Sequence, residues 1–287
     1  MDQLSATRSF QCPAKINLFL HLTGRRADGY HTLESVFRSV SLFDEITLNV
    51  RNDGQILRSF GPANVRAEHD LTLRAAALLQ KTSCTDFGVD ISLSKRIPLG
   101  AGLGGGSSNA AGVLQNLNAL WRCDLSQTAL YELALQLGAD VPFFLSAGDQ
   151  FVRGIGEQLV PLALPHAHYL IVYPGVNCTT GPMFQQPALV RNSAPVSFVD
   201  LAQQDLLSAG FTNAFEATAL SQYPEIARAK QWLIQQAGNA RLSGSGSALF
   251  AKLSSAAQAK QIQACCPMPW QAWAVQSTAN NGHSYAL

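Results

Sequence analysis

Residues 14–22 alternate: Ala14, Ile16, Leu18, Leu20 and Leu22 fall on one side, Lys15, Asn17, Phe19 and His21 on the other. A period of two belongs to a β-strand, so the pattern predicts a strand with a core side and a working side. Residues 31–40 and 45–50 read as further strands, with a turn expected near Asp44. Val89, Ile91 and Leu93 alternate with Asp90, Ser92 and Ser94, which describes a strand over 88–95 that is wet on one side. Helical spacing predicts helices over 70–82, 110–120 and 126–137. Ser126 is placed to cap the last of these, and Gly138 to close it in a left-handed turn.

The second half is less regular at first. Pro161, Pro165 and Pro174 punctuate a loop-and-strand stretch, and 176–196, rich in Pro, Thr, Asn and Gln, reads as an irregular connection. A helical pattern is expected from 198 to 237. A strand at 239–242, a loop at 243–247, a strand at 248–253, a helix at 255–264 and a strand at 270–276 follow. Helices and alternating strands in mixed order predict an α+β fold. The pattern switches near 155–165, so the expected domains are 1–157 and 158–287.

Composition narrows the function. A chain of 287 residues buries about three quarters of its unfolded surface and needs no staples. Formal net charge is +1, with no dense basic cluster, which argues against nucleic-acid binding by bulk electrostatics. Anions must be caught by local geometry. No apolar run approaches the length of a membrane helix and no signal peptide is apparent. The six cysteines lack metal spacing and read as reduced thiols of a cytoplasmic protein.

The richest chemistry lies at 98–112, P-L-G-A-G-L-G-G-G-S-S-N-A-A-G, between the strand at 88–95 and a helix. A glycine-rich turn opening a helix leaves backbone N–H groups free and lets an anion approach them closely. The alternative is a flexible linker, which seldom runs straight into a patterned helix. The loop lacks the lysine of a P-loop, and the chain lacks the protein-kinase motifs. Gly100, Gly102 and Gly105 satisfy the dinucleotide fingerprint G-x-G-x-x-G literally. That fingerprint needs a strand buried on both faces and a second strand about 20 residues on, whereas here another helix is expected.

The loop resembles the phosphate-binding motif of the GHMP family of small-molecule kinases. Two more family motifs occur in order: P-A-K-I-N-L at 13–18 and S-G-S-G-S at 243–247. The segments R-R-A-D-G-Y-H at 25–31 and L-G-A-D-V-P-F-F at 137–144 narrow the resemblance. They are similar to members acting on a CDP-linked methylerythritol in non-mevalonate isoprenoid precursor synthesis. The resemblance covers about residues 12–276.

It implies an N-terminal domain like part of ribosomal protein S5, a C-terminal ferredoxin-like domain and a cleft between them. It implies ATP as phosphoryl donor, with Mg²⁺, bound by Pro98, Leu99, Gly100, Ala101, Gly102, Leu103, Gly104, Gly105, Gly106, Ser107 and Ser108. Either serine would donate to phosphate or help hold Mg²⁺; no second acidic residue is clearly placed for the metal, so its ligands stay open. Asp140 is the implied base, although an Asp two residues before Pro142 also suits a helix cap. Lys15 is implied to sit between Asp140 and the moving phosphoryl group, against the bland alternative of a snorkelling strand-edge lysine. Asn17 shares its face and would bind substrate or hold Lys15.

Tyr30, His31 and Phe184 are implied to surround cytosine, with Phe184 otherwise a core residue. Thr180 would reach the base or a phosphate. Gly244, Ser245 and Gly246 would close over the acceptor, or form only a tight turn. Asp70 stands where the family usually has an Asn near adenine. A carboxylate cannot donate as that amide does, so adenine contact is expected from backbone groups. The expected partners are the two small molecules, with no nucleic acid or membrane, and the chain is read as a monomer or weak homodimer. Three other readings are weighed: a homoserine- or mevalonate-type kinase, which lacks the A-D-G-Y-H element; a dinucleotide-dependent oxidoreductase; and a nucleotide-binding protein without catalysis.

Overall fold

The computed structural model describes residues 6–178, 180–199 and 201–278. Two long strands, β1 (Thr7–Arg25) and β2 (His31–Arg51), pair antiparallel from Thr7 opposite Asn49 to Arg25 opposite His31. The turn expected near Asp44 does not form. β2 runs straight through it, and the irregularity is a bulge: Pro13 faces Phe43 while Ala14 faces Val40. Asp44 is fully buried, and donors from residues 95–97 and Asn109 satisfy its carboxylate, so it has no need of a solvent-facing turn.

The first sheet runs β3 (Ile56–Phe60), β4 (Gly88–Ser94), β2, β5 (Asp149–Arg153) and β6 (Gln158–Leu162), with β1 also on β2. The sequence pattern misses β3 (Ile56–Phe60), which lies parallel to β4 (Gly88–Ser94). β4 alternates as expected, with Val89, Ile91 and Leu93 buried. Helices α1 (Leu71–Ser83), α2 (Gly105–Leu120) and α3 (Gln127–Leu137) pack on this sheet. Their core brings Ala76, Leu79, Leu114 and Leu133 against Phe10, Leu48 and Ile91. Each such fully buried large side chain contributes about 1.5–3 kcal/mol.

The Ser126 hydroxyl caps α3 as expected, accepting from Ala129 N at 3.2 Å. Gly138 does not adopt the left-handed cap. Its backbone is extended (φ 165°, ψ 154°), which carries the chain away from α3 towards Asp140.

β5 (Asp149–Arg153) and β6 (Gln158–Leu162) complete the first sheet as a hairpin. The boundary expected at 157/158 falls inside that hairpin, and β7 (His168–Tyr173) follows it. The second sheet is antiparallel in the order β10-β7-β9-β8. It contains β8 (Arg241–Leu242), β9 (Leu249–Leu253) and β10 (Gln271–Gln276). Helices α5 (Glu216–Gln222) and α6 (Pro224–Ala237) precede β8, and α7 (Ala256–Ala264) joins β9 to β10. This is the expected ferredoxin-like order. A short helix, α4 (Thr180–Phe184), follows β7.

The helix expected over 198–237 is broken. Pro224 starts α6 afresh, and Asn213 sits in a turn where its amide donates to Leu242 O and Gly244 O, each at 2.8 Å.

β1 differs from its prediction in one respect. Residues 12–22 are buried on both faces, because the strand passes between the two domains. Ile16, Leu18 and Phe19 share a cluster with Tyr169, Ile171 and Phe250 of the second sheet. Arg38 adds a polar tie, donating to Tyr169 Oη at 3.0 Å and Pro165 O at 2.6 Å, with Asp149 3.2 Å from its Nε. Among the described residues no helix is long and apolar enough to cross a membrane.

Candidate active site

The glycine loop is shaped by its neighbours as much as by its own sequence. Gly100, Gly102 and Gly104 lie in the left-handed region, with φ of 63°, 74° and 68°. A Cβ on Gly102 would sit 2.1 Å from Ser243 O, and one on Gly104 would meet the Lys15 stem at 2.9 Å. α2 begins at Gly105, five residues before the predicted start, so the glycines form its first turn. Gly105 is there for space: a Cβ would lie 2.8 Å from Ile97 and from Lys95 Nζ. The first N–H groups of α2 have no side-chain cap, which leaves them free for an anion. Ala101 and Leu103 turn their side chains into the core and offer only backbone. Leu99 and Gly106 line a cavity, and Pro98 opens on an adjoining one.

Two separated segments, around 15–17 and 243–248, meet at this loop. Lys15 N donates to Leu103 O at 2.9 Å, and Ala248 N donates to Ala101 O at 3.0 Å. The Ser243 hydroxyl donates to Gly102 O at 2.9 Å and accepts from Asn17 N at 3.3 Å. Gly244 lies against Gly102 and within 3.5 Å of Asn17 Oδ1, measured from the position of a Cβ. Ser245 and Gly246 follow in the same buried turn, with Gly246 packed against Leu242.

Lys15 is buried, so it does not snorkel. Its ammonium donates to Asn17 Oδ1 at 2.7 Å, faces Asp140 Oδ2 at 3.3 Å and lies 4.4 Å from the centre of the Phe37 ring. Asn17 is itself fixed by donating to Ser35 Oγ at 3.0 Å, so it holds the lysine from behind. The Asp140 side chain is one-third exposed and does not act as a helix cap; the short turn at Pro142–Leu145 has Val141 at its cap position. A buried cation thus faces a solvent-reachable carboxylate at the edge of a bed of free N–H groups.

The Ser108 hydroxyl, one turn into α2, is fully buried without a protein hydrogen-bond partner. An oxygen held so suits a phosphate group or the ligand shell of a divalent ion. Ser107 beside it is half-buried. Among the described residues no group of three or more His, Cys, Asp or Glu side chains could hold a metal by itself. Such an ion would take most of its ligands from phosphate and water, as Mg²⁺ commonly does.

Two cavities adjoin this centre. One, of about 490 Å³, is lined by Leu71, Thr72, Leu99, Gly106 and Asn109. Asp70 also borders it, but its carboxylate accepts from Thr72 N at 2.8 Å and Thr72 Oγ1 at 2.6 Å and pairs with Arg58. It is the N-cap of α1, with its oxygens already engaged. The other cavity, of about 760 Å³, is lined by Tyr30, His31, Phe184 and Arg191, and by Ala139 next to Asp140. His31 stacks on Phe184 (ring centres 5.0 Å apart, 18° between planes), and Phe184 meets Phe215 edge-on at 4.9 Å. Phe184 therefore does both jobs, packing on the core and lining the cavity. Tyr30 is 61% exposed. Thr180 opens α4, and its side chain lies outside the described residues.

Sequence reasoning missed the supports. Asp44 accepts from Arg96 N at 2.7 Å, Ile97 N at 2.8 Å and Asn109 Nδ2 at 3.0 Å, and pairs with Lys95. One β2 carboxylate thereby pins both ends of the glycine loop. Its partners stand more than 50 residues away, beyond any local signal.

The GHMP kinase N-terminal domain model matches residues 70–148, and the GHMP kinase C-terminal model matches residues 196–270. The chain belongs to the GHMP kinases, a family of small-molecule kinases. Over 269 residues it is 44% identical to the 4-diphosphocytidyl-2-C-methyl-D-erythritol kinase of Azoarcus sp. (strain BH72), spanning 94% of this chain and 93% of that one. A crystal structure of 4-(cytidine 5'-diphospho)-2C-methyl-D-erythritol kinase superposes with a TM-score of 0.80 at 34% identity, covering 94% of this chain and 98% of that one. The homoserine kinase of Cytophaga hutchinsonii shares the fold (TM-score 0.72, 18% identity, 99% and 98% covered).

Proposed function

We propose that the chain transfers the γ-phosphoryl group of ATP to the 2-hydroxyl of 4-diphosphocytidyl-2-C-methyl-D-erythritol, giving the 2-phosphate and ADP. It would serve non-mevalonate isoprenoid precursor synthesis in the cytoplasm. The carrying observation is the Lys15–Asp140 pair, 3.3 Å apart, beneath a glycine loop and beside a cavity lined by Tyr30 and His31.

In this reading the adenine enters the cavity of about 490 Å³, and the phosphates follow the N–H groups of 102–108. With Asp70 occupied, base contacts fall to backbone groups and to the cavity's apolar walls. Mg²⁺, when bound, would supply neutralisation of phosphate charge, and the buried, unpartnered Ser108 hydroxyl would meet a phosphate oxygen or help hold the ion. Asp140 takes the proton from the 2-hydroxyl as its oxygen bonds to the γ-phosphorus. The bond to the bridging oxygen breaks, and ADP leaves with that electron pair. Lys15, 3.3 Å from Asp140, offsets charge on the moving group. Holding two anionic substrates in line supplies the largest share, about 7–11 kcal/mol.

A coupled ADP-release assay tests the reading, with the CDP-linked alcohol set against homoserine and mevalonate. Turnover is expected with the first alone. Turnover confined to homoserine or mevalonate would overturn it.

A further inference from the structure

We propose that Arg191 fixes the tautomer of His31 and so makes the base cavity selective for cytosine over uracil. The inference rests on the reading above, that this cavity takes the base of the acceptor.

Arg191 lies in the irregular stretch after α4, where no periodicity marks it. Its guanidinium makes four hydrogen bonds: Nε–H to His31 Nε2 at 3.2 Å, Nη1 to Leu189 O at 2.9 Å, and Nη2 to Phe184 O at 2.8 Å and Gln186 O at 2.7 Å. A guanidinium only donates, so Nε2 of His31 must accept. The imidazole is then neutral, with its hydrogen on Nδ1. Partial burial, then the charges of Arg191 and Arg25, hold this histidine below its usual range, which favours the same neutral form. The ring cannot swing away freely. It stacks on Phe184, whose own carbonyl is held by Arg191.

Among the described residues no protein group other than Arg191 hydrogen-bonds the His31 ring. The ring therefore offers the cavity one donor, Nδ1–H, and no acceptor. Cytosine N3 is a lone pair and completes that bond. Uracil carries a hydrogen on N3, so two donors would meet and both would lose their water partners. A site built around a polar partner rejects an analogue that cannot supply it. One unmade buried bond corresponds to roughly 10- to 100-fold in kcat/KM. Without Arg191 the histidine could move its hydrogen to Nε2, present Nδ1 as an acceptor and admit uracil.

The test compares kcat/KM for the CDP-linked and UDP-linked methylerythritol in the natural protein, Arg191→Met and Arg191→Lys. The cytidine-to-uridine ratio is expected to fall at least fivefold in Arg191→Met. Arg191→Lys, which retains a donor, should keep more of the ratio. Ring ¹H–¹⁵N spectra of the natural protein, assigned with His31→Gln, should show His31 with its hydrogen on Nδ1, a readout that does not depend on any Arg191 variant folding. A purely structural role for Arg191 lowers both substrates by the same factor; an unchanged ratio, or an Nε2–H tautomer in the natural protein, overturns the inference. Tyr30→Ala separates the two readings. If it leaves the KM of the cytidine substrate unchanged, the base-cavity reading fails and takes the inference with it. A raised KM with an unchanged Arg191→Met ratio overturns only the role of Arg191.

Discussion

The proposed phosphoryl-transfer centre and the proposed base cavity are built by opposite means. Lys15 and Asn17 lie on β1, almost fully buried, with side-chain partners on β1 itself, on β2 and at Asp140. Tyr30 sits at the tip of the β1–β2 connection, 61% exposed, and Phe184 and Arg191 come from a segment with little regular structure. A step shared by a family is held by rigid elements, where a small displacement is costly. Choice of acceptor is carried by loops, which can change without disturbing the core. The contrast predicts that damage to the centre stops turnover or unfolds the chain, while damage to the base cavity changes only which substrate binds.

The largest effect should come from Asp140→Asn. Turnover is expected to fall about 10²–10⁴-fold with the Kd for an ATP analogue nearly unchanged, read by single-turnover kinetics and calorimetry. Gly102→Ala comes next. The new Cβ would strike Ser243 O at a residue already in the left-handed region, so a loss of about 3 kcal/mol or more is expected in urea unfolding. If Gly102→Ala were as stable as the natural protein, the loop would not be wedged between the domains.

Tyr30→Ala should raise the KM of the cytidine substrate by roughly 5- to 150-fold, the worth of one base stack, and leave the KM for ATP alone. An effect on ATP alone would exchange the two cavities. The smallest effect is a pH dependence. Burial outweighs the pull of Arg38 and raises the Asp149 carboxyl to about 6. A carboxyl raised on folding favours the fold when protonated. Its contribution is full below about pH 4, its unfolded value, and is lost as pH rises through about 6. Unfolding of Asp149→Asn should lack this component across that window, while the natural protein shows it.

The candidate centre was largely legible in the sequence, because its residues travel as short motifs: P-A-K-I-N-L brings Lys15 and Asn17, L-G-A-D brings Asp140, and the glycines bring the loop. What stayed hidden depends on long-range partners. Asp44 looks like a turn residue by type, yet donors about 50 residues away keep it inside a continuous strand. α2 starts among glycines that propensity would exclude, because the space beside Ile97 and Lys95 admits no side chain. Gly138 suits a left-handed cap by its position after α3, but its backbone is extended and leads the chain to Asp140, 3.3 Å from Lys15. Arg191 gave no signal at all, since its bonds run to backbone carbonyls and one ring nitrogen.

The most direct test is a crystal structure with a non-hydrolysable ATP analogue and the CDP-linked alcohol bound together. The terminal phosphate is expected between the 102–108 amides and Lys15 Nζ, with the 2-hydroxyl about 2.6–3.2 Å from an Asp140 oxygen. A triphosphate seated away from that loop, or a hydroxyl beyond reach of Asp140, would contradict the account.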